Sequence, residues 1–300
     1  MNINTMHKNK VLFYSTLIIL MVVTSVFVLF AGIVPNKSTK TTQAATPSTE
    51  YKSLSGFTPV GDLSLVDTGV ANSESNPYMV SSVDDLRTIA YWVNGEFTQT
   101  EDLDKQNLYT RASYRLNNHL DLSAFPYWEA IGTATNPFLG NFDGNGKTIY
   151  GLTIIAPKYC ADLSQYTDVD LNEEEDYFTY QGLFGYVKYA NESGTEYKPH
   201  IQKLGLKDTI IKTDSYYVGS LVGYALGNFE VANSNLVLIE QCYNTGYVEG
   251  SNFVGGLVGS LEEGATLTNC YNAPSTPNLS RFGDSANPYN ATFDIATNIR

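Results

Sequence analysis

The chain has 300 residues, of which 43% are hydrophobic and 16% are charged, a balance that excludes a disordered chain without a core. Residues 1–45 contain four lysines and no acid, so the remainder holds 14 of the 18 basic residues, all 31 acidic residues and a net charge of −17. A field of that sign repels polyanions and disfavours nucleic acid as a partner.

An uncharged apolar stretch, 11–34, follows Lys8 and Lys10 near the start of the chain. A basic start followed by an apolar segment is typical of a secretory signal peptide, and the small residues Ala44 and Ala45 offer a cleavage site. The stretch is also long enough to span a bilayer, so an uncleaved signal-anchor stays open. In both cases we expect the rest of the chain outside the cytoplasm, secreted or anchored to the membrane by this segment alone. We assign 1–45 to the leader and 46–76 to a linker.

Residues 81–94 have the pattern of an amphipathic helix. Ser82 stands where a cap is expected, with Asp85 three residues later. The apolar positions that follow have helical spacing: Leu86, Ile89, Ala90 and Val93. We expect a capping segment, 77–110, whose helix covers the open end of the next domain, because an uncovered strand edge exposes unpaired backbone.

Two sequence patterns recur in the second half of the chain. Gly-Leu-Phe-Gly at 182–185 is matched by Ser-Leu-Val-Gly at 220–223 and Gly-Leu-Val-Gly at 256–259. A second pattern places apolar residues three apart and begins at Ile149, Ile201, Ile239 and Leu267. The spacings are unequal although the motifs are retained, which indicates insertions in loops. Short segments rich in β-branched and aromatic residues between glycines favour strands.

The shortest interval between these patterns, about 28 residues, suits three strands and three turns. One such coil cannot bury its apolar side chains alone, whereas stacked coils bury them and pair every strand with its neighbours. The sequence therefore predicts an all-β protein, a parallel β-helix over 111–273, with 274–300 as a tail or cap. Ile149, Ile201, Ile239 and Leu267 would form one interior row. A propeller or sandwich is the alternative, but a propeller blade needs about 40 residues.

The motifs at 217–223, 242–246 and 253–259 (Tyr-Val-Gly-Ser-Leu-Val-Gly, Cys-Tyr-Asn-Thr-Gly and Phe-Val-Gly-Gly-Leu-Val-Gly) resemble the GLUG repeat. The preceding segments 128–132, 138–146 and 149–152 resemble the lead-in to such repeats, so the resemblance covers 78–273. GLUG repeats occur in bacterial surface proteins, including adhesins and the non-catalytic regions of immunoglobulin A-specific metallopeptidases. The resemblance implies a short right-handed, pectate-lyase-like β-helix in an extracellular setting. It implies no single activity.

Two acidic segments invite comparison with calcium sites. Asp143-Gly144-Asn145-Gly146 reads as a tight turn that needs glycine conformations, in preference to a cation site. The run 168–176 begins with the alternating spacing of an EF-hand loop, but Glu173 replaces the turn glycine and Thr179 replaces the final glutamate. We expect a solvated loop there, with weak calcium binding as the alternative.

The sequence contains no recognisable set of catalytic residues. The three histidines, His7, His119 and His200, form no His-Glu-x-x-His pair, and no nucleophile-elbow motif is present. We therefore predict a non-enzymatic protein with no catalytic, cofactor-binding or metal-binding residues. Cys242 and Cys270 should lie at matching positions of adjacent coils, as stacked thiols in preference to a disulfide.

Recognition is expected in loops that interrupt the stack, at 158–180, 186–200 and 224–238, with tolerated surface insertions as the alternative. These loops hold or adjoin six tyrosines that offer contact area with a polar group: Tyr159, Tyr166, Tyr177, Tyr180, Tyr189 and Tyr197. The expected function is that of an adhesin-like surface or secreted protein, and the expected partner is a host-matrix or cell-surface glycan or protein. Two alternatives stay open, an accessory segment of a larger surface peptidase and a carbohydrate-active enzyme. A groove lined by two carboxylates, or by Asp with Arg, would favour the enzyme.

Overall fold

A computed structural model describes most of the chain from residue 53 onward. The described residues are 53–54, 56–67, 69–97, 102–125, 127–155, 179–228, 236–274 and the backbone of 296–299. They are mostly β, and five of their six sheets are parallel throughout. The prediction of a mostly β protein with parallel strands is therefore confirmed. No helix among these residues is long and apolar enough to cross a membrane.

The described part of the chain contains two helices, α1 (Val83–Asn94) and α2 (Leu103–Arg111). Its strands are β1 (Tyr78–Val80), β2 (Ser113–Leu116), β3 (Leu120–Asp121), β4 (Asn141–Asp143), β5 (Thr148–Tyr150), β6 (Thr153–Ile155), β7 (Phe184–Lys188), β8 (Ala190–Glu192), β9 (Thr195–Tyr197), β10 (His200–Gln202), β11 (Gly205–Lys207), β12 (Ile210–Lys212), β13 (Tyr216–Gly219), β14 (Val222–Leu226), β15 (Val237–Glu240), β16 (Tyr243–Asn244), β17 (Tyr247–Glu249), β18 (Asn252–Gly255), β19 (Val258–Glu262), β20 (Ala265–Thr268), β21 (Tyr271–Asn272) and β22 (Ala296–Ile299).

The chain passes through the five parallel sheets in a constant order, and we call one passage through these sheets a round. Strands β10 to β14 supply one strand to each sheet, and β15 to β19 do so again. The longest sheets have the orders β1-β2-β4-β10-β15-β20 and β3-β5-β11-β16-β21, and the others are β6-β12-β17, β13-β18 and β7-β14-β19-β22. Each strand thus lies beside the strand from the same place in the preceding round. The antiparallel hairpin β8–β9 stands outside this pattern.

The three glycine motifs lie side by side in the register that their alignment predicts. Phe184, Val222 and Val258 are consecutive partners across β7, β14 and β19. Gly223 and Gly259 have no positive φ, so a left-handed backbone does not explain their need for glycine. A Cβ on Gly223 would lie 2.7 Å from the carbonyl carbon of Tyr180, so close backbone approach explains this glycine instead.

The interior row predicted to contain Ile149 is wrong at that position. Ile201 pairs with Ile239, which pairs with Leu267, but the partner of Ile201 on its other side is Phe142. Ile149 lies in the adjacent sheet, where it pairs with Leu206. The cause is a self-similar pattern: interior positions in this round fall at 201, 204, 206, 209 and 211, so a shift of five residues superimposes apolar positions on one another.

Helix α1 begins and is capped as the sequence predicts. The Ser82 hydroxyl accepts a hydrogen bond from the Asp85 amide at 3.1 Å, and the Asp85 carboxylate accepts one from the Ser82 amide at 2.9 Å. The four predicted apolar residues are fully buried: Leu86, Ile89, Ala90 and Val93. Helix α2 was not predicted, because it is mostly polar, buries only Tyr109 and Thr110, and lacks a side-chain cap at Asp102.

Part of the predicted linker packs on the domain. Leu54 and Leu63 belong to the hydrophobic core, and the Arg87 side chain donates to the Ser53 carbonyl at 2.6 Å. The segment predicted as a C-terminal tail or cap contributes β22, which pairs with β19. The predicted leader and the acidic run 168–176 lie outside the described residues.

Candidate functional site

The outer face of the six-stranded sheet carries two rows of side chains that cross its strands. Residues flanking each buried side chain of a strand point outward, because alternate residues face opposite sides of a sheet. The first row runs Ser113, Asn141, His200, Leu238 and Thr266, and the second runs Arg115, Asp143, Gln202, Glu240 and Thr268. Four of the five residues in the first row and all five in the second are polar, so this face is built for hydrogen bonding.

A cleft of about 150 Å³ opens where these rows meet the segment before β1. Its lining includes Glu74, Ser113, Arg115, Asp143, Gln202 and Lys203. The Arg115 guanidinium bridges two sides of the cleft, since Nε donates to Asp143 at 3.0 Å and Nη2 donates to the Glu74 carbonyl at 3.3 Å. The cleft thus has a fixed wall of opposite charges.

Hydrogen bonds connect part of the first row and link it to the second row. The Asn141 amide group donates to the Ser113 hydroxyl at 3.1 Å, and its oxygen accepts from the His200 backbone amide at 3.1 Å. One round farther along, the His200 ring lies 2.9 Å from a carboxylate oxygen of Glu240. These bonds fix the rotamers of the row before any ligand is present.

Two side chains of the cleft lack such bonds. Within the residues that the structure describes, the Gln202 amide and the Lys203 ammonium have no hydrogen-bond or ion-pair partner. Gln202 is half-buried and Lys203 is exposed. Together they present donors and one acceptor toward the open space of the cleft.

A second surface feature is an aromatic face on β7, β13, β14 and β18. Tyr180, Tyr217 and Phe253 form a stacked column, with ring centroids 5.2 Å and then 4.7 Å apart. Tyr186 and Tyr224 lie beside this column, 4.9 Å from each other. All three residues of the column have positive φ, an uncommon conformation for aromatic residues.

Two hydroxyl groups of the aromatic face, those of Tyr186 and Tyr224, stay protonated over a wide pH range. Burial raises the pKa of Tyr186 to about 12. Burial, aided by a hydrogen bond to Glu262 at 2.9 Å, raises the pKa of Tyr224 well above its ordinary value. These two side chains are therefore neutral at physiological pH.

The structure places the other predicted features as follows. Residues 143–146 form the predicted turn, with positive φ at Asn145 and Gly146. His119 is exposed and accepts a hydrogen bond from the Thr148 amide at 2.9 Å. Cys242 and Cys270 are free thiols at matching positions, and the Cys242 amide donates to Sγ of Cys270 at 3.3 Å. Burial raises the pKa of the Cys242 thiol.

The predicted recognition loops are only partly described. Residues 186–188 belong to β7 and 190–197 form the β8–β9 hairpin, so this segment is more regular than a loop. Tyr189 is buried in the core, which removes it from the expected contact surface. Tyr180 lies on the aromatic face, whereas Tyr159, Tyr166 and Tyr177 fall outside the described residues.

A metal site is not apparent in the part of the chain described by the structure, where no three His, Cys, Asp or Glu residues are grouped to bind an ion. Sequence reasoning missed Arg115, Gln202 and Lys203. A signal for two of them existed, because each flanks an interior position: Arg115 follows Tyr114, and Gln202 follows Ile201. Comparisons with protein-family models, with curated proteins and with solved structures return no match to this chain.

Proposed function

We propose that this protein is an extracellular binding protein, adhesin-like, built on a short right-handed parallel β-helix of the GLUG-repeat type. The constant order in which the chain passes through five parallel sheets supports this architecture. Helix α1 would cap the first coil, as its buried apolar face and its contact with β1 suggest.

One observation carries the proposal. The GLUG-like motifs at 217–223 and 253–259 lie in register, with Val218 beside Val254, Gly219 beside Gly255 and Val222 beside Val258. Motifs that pair with each other at fixed places build a scaffold, and their apolar side chains are used in the core. Function then falls to the outer faces and insertions of the scaffold.

The leader pattern at 11–34 supports export, either as a secreted protein or as one anchored to the cell membrane. Outside the cell, the available partners are host-matrix proteins and cell-surface glycans or proteins. The net charge of −17 beyond residue 45 favours neutral or cationic partners over polyanions.

The experiment is a binding array that contains glycans and matrix proteins, probed with the full chain as the cell produces it. We expect saturable binding to at least one arrayed ligand, with no change in that ligand after prolonged incubation. Absence of binding to every arrayed glycan and protein would contradict the proposal.

A carbohydrate-active enzyme is the second candidate, and one observation favours it. The cleft combines Asp143 with Arg115, the pairing of Asp with Arg that would favour a polysaccharide-cleaving groove. Their mutual ion pair at 3.0 Å occupies both groups. Release of reducing ends or unsaturated products from any arrayed polysaccharide, lost in Asp143→Asn, would establish this function in place of binding alone.

A further inference from the structure

The cleft contains polar groups that the fold itself does not use. The Gln202 amide and the Lys203 ammonium have no partner in the described part of the chain, while their neighbours Asn141 and Ser113 bond each other. A half-buried amide that is not needed for the scaffold is available to a ligand.

The charges of the cleft cancel. Arg115 and Lys203 are balanced by Glu74 and Asp143, and Arg115 is already paired with Asp143. An ion would therefore gain little net attraction there. The free groups instead combine donors with acceptors, and a hydroxyl group is the ligand group that can donate and accept at one position.

The second row extends the cleft across the sheet. Asp143, Gln202, Glu240 and Thr268 follow one another on adjacent strands, at a spacing of roughly 4.8 Å set by the sheet. The hydrogen-bonded strands beneath them are rigid, so little conformational entropy is lost when a ligand binds. A row of this kind matches an extended chain of hydroxyl-bearing rings better than a compact ligand.

The same lining argues against a protein segment as the occupant. Protein interfaces are centred on aromatic or arginine anchors that enter apolar pockets. Here the only arginine of the lining, Arg115, is bound to Asp143 and to the Glu74 carbonyl, and the other side chains of the second row are polar and not aromatic.

We propose that the cleft and the second row bind a neutral glycan, whose hydroxyl groups bond to Gln202 and Lys203. This inference rests on the proposed binding function and gives it a ligand class and a place. The glycan would begin in the cleft and follow the row from Asp143 toward Thr268.

The test measures the affinity of the full chain for the strongest neutral glycan of the array. We expect Gln202→Ala and Lys203→Asn each to weaken binding on the order of tenfold, the loss of one hydrogen bond to a ligand. Asparagine suits the left-handed backbone of Lys203, and it removes the ammonium and shortens the side chain.

Two variants serve as controls. Asp208→Asn changes another left-handed position of the same round, between β11 and β12, and Lys207→Gln removes a lysine from another sheet. Both should bind like the original protein, and equal melting temperatures should show that all four variants fold.

The outcomes of this test distinguish a failure of the proposed cleft site from a failure of the proposed binding function. Unchanged affinity in Gln202→Ala and Lys203→Asn would show that the glycan does not bind in the cleft, while the proposal of a glycan-binding protein would stand. Binding confined to proteins or to acidic glycans would overturn the ligand class. If no arrayed ligand binds, both this inference and the proposed function are wrong.

Discussion

Residues other than glycine adopt left-handed conformations at equivalent places in successive rounds. Lys203, Gln241 and Asn269 share φ values of 53°, 54° and 53°, and the aromatic column repeats the same arrangement on another side. A non-glycine residue in this region costs free energy. In the aromatic column, ring stacking offsets part of that cost. The left-handed backbone and the aromatic face therefore occur at the same residues.

The glycines of the motifs are needed because neighbouring backbone leaves no room for a Cβ, and this leads to a first prediction. A Cβ on Gly223 would meet backbone atoms at 2.7 Å, and one on Gly259 would lie 2.5 Å from the Gly223 carbonyl oxygen. We expect Gly223→Ala and Gly259→Ala each to lower the free energy of unfolding by about 1–3 kcal/mol, the usual cost of overpacking.

Urea titration of the two variants measures this loss. Gly69→Ala is the matched control, because Gly69 also has no positive φ and an added Cβ there would meet only the Asp67 carboxylate, at 3.4 Å. A smaller loss in that control would attribute the effect to overlap. Unchanged stability in both alanine variants would show that the backbones can separate.

Buried tyrosines make stability sensitive to alkaline pH. Burial raises the pKa of Tyr186 and of Tyr109 from 10.0 to about 12. The unfolded chain releases these protons near pH 10 while the folded protein retains them. Their stabilisation is therefore complete below pH 10 and is lost as the pH rises from 10 to 12.

Tyr186→Phe should remove one of these contributions. We expect the variant to match the original protein at pH 7 and to lose less stability between pH 10 and 11. Denaturant midpoints across that interval provide the measurement, with Tyr216→Phe, at an exposed position, as the control. Parallel pH profiles for Tyr186→Phe and the original protein would contradict the assignment.

At the scale of elements, the capping box of α1 gives another prediction. Ser82→Ala removes the acceptor for the Asp85 amide, and we expect a loss of about 1 kcal/mol in the free energy of unfolding. Ser82→Asp keeps an acceptor at the same place and should lose much less. Thermal unfolding distinguishes them, and equal losses in both variants would show that the hydroxyl bond is unimportant.

Elements with strong local signals were predictable from the sequence. Helix α1 combined a cap with helical apolar spacing, and the glycine motifs fixed the register of β7, β14 and β19. The prediction of a row beginning at Ile149 was wrong because the same apolar spacing occurs more than once within a round. Helix α2 failed because its stability depends on packing against α1, which a mostly polar sequence does not reveal.

The candidate site was less predictable than the scaffold. Arg115, Asp143 and Gln202 come from strands far apart in sequence and meet only when β2, β4 and β10 are aligned. Glu74 joins them from a segment predicted as a linker. Without the correct register, each of these residues reads as an isolated polar side chain on a strand.

At the scale of the whole molecule, strands at the end of a parallel sheet differ from those inside it. In the described residues β20 and β21 each pair with one strand only, and the residues of β20 are half-buried. By contrast, β10 lies between β4 and β15. Strands at an end of a sheet open locally at lower free energy than those inside it.

We therefore expect backbone amides of β20 and β21 to exchange hydrogen faster than those of β10 and β11. Hydrogen–deuterium exchange followed by mass spectrometry of the native full chain resolves the four strands. Protection of β20 equal to that of β10 would show that another segment covers this end.

The strand order of the six-stranded sheet has a consequence for synthesis. In the order β1-β2-β4-β10-β15-β20, every strand after the first lies next to the strand of the same sheet that precedes it in the chain. A polypeptide leaves the ribosome with its N-terminus first. Each strand of this sheet thus follows its pairing partner in the chain, so the sheet can lengthen strand by strand from its N-terminal end.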